Sequence, residues 1–130
     1  MRYEEFLARV RERGEYGSPD EAREVTRAVL EVLAQRITPD EVADLASQMP
    51  GDLGPMLTDS GVPRAEGFGI EEFHQRVAER TGARPRTAVW DASAVLTTVA
   101  DAVSGGEVDQ VLSQLPSSYA PLFGRPDLAD

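Results

Sequence analysis

The sequence contains no cysteine and no lysine, and it has one histidine and one tryptophan among 130 residues. The absence of cysteine excludes disulfide bonds, thiolate metal sites and thiol chemistry. A single histidine excludes a metal site built from several imidazoles. The serines lie in no nucleophile elbow, and the glycine pair at 105–106 lacks the following residues of a P-loop. We therefore expect a protein that is not an enzyme, with no catalytic residues, cofactor or metal.

Long apolar runs and a positive charge balance are also missing. The 23 acidic residues outnumber the 13 arginines, so the net charge is −10. A chain this acidic is repelled by phosphate groups, which excludes nucleic acid and anionic membranes as expected partners. No run approaches the roughly 18 apolar residues of a membrane span, and the first residues form no apolar signal segment. We expect a cytoplasmic protein.

Most of the sequence occurs twice. The segment EEF at 4–6 returns at 71–73, and SQMP at 47–50 returns as SQLP at 113–116. These spacings of 67 and 66 residues predict that each copy is one supersecondary unit whose apolar face is covered by the other copy.

The pattern within each copy is helical. Apolar residues recur every three or four positions, and no segment alternates as a strand does. Three hydroxyl residues, Ser18, Thr38 and Ser104, stand three residues before a glutamate, which is the capping-box pattern of a helix start. Gln48 and Gln114 each precede a proline by two residues, and we expect them to bond backbone groups freed at that turn.

These patterns predict an all-α fold, a tandem repeat of two pseudo-symmetric three-helix units with about six main helices plus short turns. The units pack as one compact bundle in a single domain, 1–130. The first repeat covers 3–57 and the second covers 70–123. The segment 58–69, rich in glycine and proline, is the predicted linker, and 124–130 are predicted to form a frayed tail.

Trp90 is the most unusual residue, because the repeat places it where Glu24 stands, on the outer face of the second long helix. Two interpretations are open. In the first, this helix is central and Trp90 fills the junction between repeats. In the second, Trp90 forms an exposed candidate interface for a partner, together with Ala94 and Thr97. The solvent exposure of Trp90 distinguishes them.

Four arginines form the one local concentration of positive charge, just before a predicted helix start near Pro85. Guanidinium groups and helix amides both favour anions, so this cluster is a candidate anion site. Nearby glutamates partly neutralise it. The four residues are Arg76, Arg80, Arg84 and Arg86.

The remaining candidate groups have structural interpretations. His74 is predicted at the edge of the core. Glu5 and Glu72 stand four residues before Arg9 and Arg76, the spacing of surface ion pairs. A di-iron site would need a second Glu-x-x-His motif, which the sequence lacks.

Two segments carry a family resemblance. AVLEVLAQRITPDEVADLASQMP at 28–50 and AVLTTVADAVSGGEVDQVLSQLPSSYAPLF at 94–123 resemble the bacterial DUF2267 family, whose members are small helical proteins built on this tandem pattern. The resemblance covers about residues 3–123. It implies an all-helical fold and carries over no activity or site residue.

The function that we expect is a non-enzymatic protein-interaction or regulatory helical module. Its partner is another protein or a second copy of the chain. The alternative is a small-molecule or anion-binding protein, with a site in the cleft between repeats or near Arg80, Arg84 and Arg86.

Overall fold

The computed structural model describes residues 1–59 and 65–125, and all regular elements within them are helices, which confirms the expected all-α fold. None of these helices is long and apolar enough to cross a bilayer. In chain order they are α1 (Tyr3–Gly14), α2 (Pro19–Arg36), α3 (Pro39–Gln48), α4 (Leu53–Thr58), α5 (Ile70–Thr81), α6 (Pro85–Ala102), α7 (Gly105–Ser113) and a 3₁₀ helix (Ser117–Phe123).

Prolines and side-chain caps set the helix starts. Proline occupies the beginning of α2, α3 and α6, where a backbone donor is not needed. At α2, the Ser18 hydroxyl oxygen accepts from the Glu21 amide at 3.1 Å. The Glu21 carboxylate in turn accepts from the Gly17 amide at 2.8 Å, so both side chains satisfy otherwise free donors.

The end of α1 is shaped by the close approach of one aromatic ring. A Cβ atom on Gly14 would lie 2.1 Å from the Tyr16 ring, so only glycine lets Tyr16 fold back over the helix end. The helix is closed by Glu15 in the left-handed region, at φ 56°. This turn positions Tyr16 beside α1.

Helices α2 and α6 lie at the centre of the molecule. Both α1 and α5 pack against each of them, while α4 covers α2 and the 3₁₀ helix covers α6. Buried residues point in every direction around α2, since Val29, Leu30, Val32 and Leu33 are all fully buried. Each such side chain contributes about 1.5–3 kcal/mol relative to an exposed one. The central helices are therefore stable only when covered on all sides.

Helices α3 and α7 lie outside this centre and contact each other. Both begin with a hydroxyl cap, Thr38 for α3 and Ser104 for α7. Contact between two short capped helices brings the side chains of their first turns together.

The predicted linker and tail are only partly described. Residues 60–64 of the linker and 126–130 of the tail lie outside the described residues. The rest of the linker is held to α2 by the Glu66 amide, which donates to the Gln35 carbonyl at 2.9 Å. In the tail, the Arg125 guanidinium pairs with Asp109.

Candidate functional site

The first turns of α3 and α7 are capped by their own hydroxyl residues. The Thr38 hydroxyl oxygen accepts from the Glu41 amide at 3.2 Å, and the Ser104 hydroxyl oxygen accepts from the Glu107 amide at 3.1 Å. This half of the predicted capping boxes is confirmed.

The other half of each box is wrong, because a glutamine from a distant part of the chain replaces the glutamate. The Gln114 side-chain oxygen accepts from the Thr38 amide, and the Gln48 oxygen accepts from the Ser104 amide, each at 2.9 Å. The prediction that these glutamines bond the proline turns is therefore also wrong. The cap amides are free donors at helix starts, and the α3–α7 contact brings the glutamines within reach.

Because the glutamines take the cap amides, the two glutamates turn inward instead. Glu41 is only 3% exposed and Glu107 only 7%. The Oε2 atom of each has no hydrogen-bond partner within residues 1–59 and 65–125. The other oxygen of Glu41 accepts a long bond from the Gln114 amide group, at 3.4 Å. Two buried carboxyl groups thus face each other across the contact of α3 and α7.

Asp44 completes an acidic cluster with these two residues. One oxygen from each of Glu41, Asp44 and Glu107 lies within 4.8 Å of the others, and Asp44 is exposed at the edge. In the part of the chain that the structure describes, no arginine pairs with any of the three. The cluster is the one potential metal-binding group found there.

Burial, hydrogen bonding to Glu41 and the charges of Glu41 and Asp44 together raise the pKa of Glu107 to about 7. Both glutamates occupy the third position of a helix, where the dipole favours a negative charge but here does not offset burial. Chemically, such a cluster holds either a shared proton or a hard cation.

Trp90 is half exposed, at 51%. Its indole N–H donates to the Gly14 carbonyl at 3.0 Å, which fixes the ring against the end of α1. The neighbouring Val89 is exposed as well.

The predicted face does not continue along α6. Ala94 is 5% exposed, and the Thr97 hydroxyl donates to the Leu122 carbonyl at 3.2 Å. The expectation of an outer face at Ala94 is wrong because the 3₁₀ helix packs against α6. Trp90 lies nearer the beginning of α6 and is exposed.

An apolar groove of about 530 Å³ runs beside α1, and we call it the α1 groove. Tyr16 closes one side, where its hydroxyl donates to Asp91 at 2.5 Å. Burial raises the pKa of both groups, and Tyr16 stays protonated. The groove is lined by Glu4, Leu7, Ala8, Arg11, Glu12, Glu15, Tyr16 and Pro19.

The candidate anion site is not assembled as predicted, because two of its arginines have acidic partners. Arg76 bonds Glu66 and Glu72, and its guanidinium lies 3.9 Å from the centre of a phenylalanine ring. Arg80 pairs with Glu31 at 3.4 Å.

The other two members of that group, Arg84 and Arg86, are exposed at the start of α6. The predicted surface ion pairs are confirmed, since Glu5 pairs with Arg9 at 2.7 Å and Glu72 pairs with Arg76 at 2.5 Å.

Sequence reasoning missed both the acidic cluster and the α1 groove. For the cluster a signal existed. Glu41 and Glu107 recur at a spacing of 66, and so do Gln48 and Gln114, so the four residues form matched pairs. For the groove no signal existed, because it depends on how Tyr16 folds back over Gly14.

The fold places this chain among all-helical proteins, and its sequence assigns it to a family within them. A family profile described as "Uncharacterized conserved protein (DUF2267)" matches residues 3–122, which is nearly the whole chain. The chain belongs to this family, as its two repeated segments indicated. A search of curated proteins finds no match.

Proposed function

We propose that this protein is a non-enzymatic interaction module that binds a basic, amphipathic helix of another protein in the α1 groove. The observation that carries the proposal is the combination of an apolar floor with an acidic rim. The floor is formed by Leu7, Ala8, Tyr16 and Pro19, and the rim by Glu4, Glu12 and Glu15.

The size of the groove fits a bound side-chain cluster. Its volume of about 530 Å³ lies within the range of roughly 300–1,000 Å³ that is usual for binding sites. Recognition of an amphipathic helix in such a groove places its apolar side chains on the floor and its charged ones at the rim.

The charge of the rim specifies a basic partner. Arg11 is the one arginine in the lining, and its guanidinium donates to the carbonyls of Tyr16 and Gly17 at 3.3 and 3.1 Å. The exposed rim glutamates make no ion pair among the described residues. Lysine or arginine side chains of a partner complement them, and the net charge of −10 speeds the encounter.

Trp90 extends this surface beyond the groove. Its ring is held by the Gly14 carbonyl, next to the turn that carries Tyr16. An aromatic side chain fixed before binding loses little conformational entropy when a partner covers it. Trp90 therefore retains the role of an anchor, whereas the buried Ala94 and the part-buried Thr97 do not contribute.

No observation favours the alternative of an anion site as strongly. Glutamates already neutralise Arg76 and Arg80. A cytoplasmic location and the absence of nucleic-acid partners remain part of the proposal, supported by the cysteine-free, acidic composition.

We also infer that the two halves are pseudo-symmetric copies of one three-helix unit. Helices α1 and α5 each have 12 residues, and α2 and α6 each have 18. The equivalent cap bonds of Gln48 and Gln114 support the same relation.

The test uses a fluorescein-labelled amphipathic peptide of leucine and lysine, titrated with the full chain and followed by anisotropy. We expect Ala8→Arg to weaken binding by about tenfold or more, because the new side chain fills the groove and repels the lysines. Ala43→Arg is the matched control, since it changes an exposed alanine on α3 by the same charge. We expect this control to bind like the wild type.

Equal weakening by Ala8→Arg and Ala43→Arg would contradict the proposal, because diffuse charge attraction would then explain the binding. A peptide of leucine and glutamate serves as the negative probe, and tight binding of that peptide would exclude the acidic rim as the determinant. If sedimentation shows that the apo protein is a dimer lost in Ala8→Arg, the occupant is a second copy instead.

A further inference from the structure

We propose that Glu41, Asp44 and Glu107 form a binding site for a hard divalent cation, of the Ca²⁺, Mg²⁺ or Mn²⁺ class, at the contact of α3 and α7. Glu41 and Asp44 stand three residues apart on the same helix, so they share a face. Glu107 approaches that face from α7, and one oxygen from each residue lies within 4.8 Å of the others. Such separations suit oxygens that share one ion.

A second observation, independent of this spacing, points to a ligand at the cluster. Both glutamates are more than nine-tenths buried, and the Oε2 atom of each lacks a hydrogen-bond partner within the described ranges. Buried polar atoms are almost always satisfied in folded proteins, so two unsatisfied carboxylate oxygens at one place call for a ligand.

The side chains around the cluster do not satisfy these oxygens. Gln48 and Gln114 direct their oxygens at the cap amides of Ser104 and Thr38. The side-chain NH₂ group of Gln114 donates to the Oε1 atom of Glu41, at 3.4 Å, and not to the unpartnered Oε2 atom. Arg125, which follows the 3₁₀ helix, pairs with Asp109 of α7 and not with the cluster. The unsatisfied charge is thus left for a ligand from solution.

The donor set determines the class of ion. Three carboxylates without sulfur or imidazole favour hard cations over zinc or copper. Asp44 is exposed, so solvent reaches the edge of the cluster and supplies the remaining ligands as water, as is common for Mg²⁺ and Ca²⁺. The cation would join α3 of the first half to α7 of the second.

One competing occupant is a proton shared between Glu41 and Glu107, since an acid O–H of one satisfies an oxygen of the other. A proton shared by the two glutamates does not involve Asp44, whereas a cation binds Asp44 as a third ligand. The effect of changing Asp44 therefore distinguishes the two.

The experiment is calorimetric titration of the metal-stripped full chain with CaCl₂, MgCl₂ and MnCl₂ in turn. A pH of about 8 keeps the carboxyl groups available, because metal binding competes with protons. We expect at least one of the salts to bind with one ion per chain and to raise the thermal midpoint.

Three variants assign the binding to the cluster. Asp44→Asn changes an exposed residue and should weaken binding about tenfold or more, while circular dichroism stays unchanged. Glu107→Gln should abolish binding. Glu79→Gln removes the same charge at an exposed position of α5 and should bind like the wild type.

Absence of binding heat and of a thermal shift with all three salts at millimolar concentration would overturn the proposal and leave the shared proton as the occupant. Equal weakening by Asp44→Asn and Glu79→Gln would also overturn it, since the ion would then be held by diffuse charge. Neither outcome bears on peptide binding in the α1 groove, which is lined by residues of α1, the turn after it and the first residue of α2.

Discussion

The imidazole ring of His74 is ionisable, but its buried surroundings disfavour a positive charge. The imidazole is buried on α5 and meets the Phe73 ring edge-on, with ring centres 5.9 Å apart. Its Nδ1 atom finds no partner in the described parts of the chain. Burial lowers the pKa of His74, and the charge of Glu71 opposes this only in part. The folded protein therefore holds the neutral ring.

This environment makes His74 a source of acid sensitivity. Because its pKa in the folded state is below the ordinary value of 6.5, the unfolded chain binds more protons just below that pH. Stability is thus lost as the pH falls through this window. Leu7 stands 67 positions earlier, so leucine fits the corresponding place in the other half.

We expect His74→Leu to raise the free energy of unfolding by about 1 kcal/mol at neutral pH, by removing an unsatisfied polar atom. The gain should be larger at about pH 5 than at about pH 8, since the imidazole is then charged in the unfolded chain. Urea denaturation of both proteins at the two pH values measures this. The same gain at both values would mean that His74 titrates as it does when unfolded.

At the scale of elements, the starts of α3 and α7 show what a local pattern does and does not contain. The hydroxyl and glutamate spacing predicted both helix starts correctly, because free amides at a helix start need an acceptor wherever the helix lies. The pattern does not predict which side chain accepts the hydrogen bond from the backbone amide of the cap residue. Gln114 comes from 76 residues away from Thr38, and Gln48 from 56 residues away from Ser104. Only the tertiary packing of α3 on α7 selects them.

Because the two glutamines accept from the cap amides, replacing either of them should lower the free energy of unfolding. Gln114→Ala removes the acceptor of the Thr38 amide and two further contacts, to the Thr38 hydroxyl and to Glu41. We expect a loss of about 1–2 kcal/mol in the free energy of unfolding, the usual range for a lost helix cap. Gln48→Ala, which removes the single bond to Ser104, should cost about 1 kcal/mol.

The matched control is Gln75→Ala, at an exposed position of α5, where a change within about 0.5 kcal/mol is expected. Urea denaturation of the three variants provides the comparison. If all three lose the same stability, the cap bonds contribute nothing beyond helix propensity, and the glutamates would have no reason to turn inward.

The α1 groove lies beyond sequence-based prediction for a different reason. Phe6 and Val10 of α1 are buried, in agreement with the apolar spacing of three or four residues that is typical of a helix. The groove, however, lies on the opposite margin and forms because Tyr16 folds back over Gly14 and bonds Asp91. That bond joins the turn after α1 to α6, which is distant in sequence, so no local pattern contains it.

At the scale of the whole molecule, the two halves share their central helices. Helix α1 of the first half packs against α6 of the second, and α5 of the second packs against α2 of the first. The buried apolar residues form one cluster drawn from both halves. Neither half therefore encloses a core of its own, although the sequence of each half contains the apolar spacing and the capping residues that predict its helices.

This sharing leads to a prediction about the separated halves. A fragment of residues 1–64 would expose the sides of α2 that α5 and α6 now cover, and α2 carries several fully buried side chains, among them Leu30 and Leu33. At about 1.5–3 kcal/mol for each large side chain, the loss of several such contacts is comparable to the roughly 5–15 kcal/mol that stabilises a typical domain.

We expect neither fragment, 1–64 or 65–130, to unfold cooperatively when heated alone, as followed by far-UV circular dichroism. An equimolar mixture should regain both helix content and a cooperative transition, because the missing cover is then supplied by the other half. A fragment 1–64 that melts alone near the temperature of the intact chain would show that the repeat is an independent domain. The α3–α7 contact would then be an interface between domains, and the cation proposed there would link two bodies that are already folded.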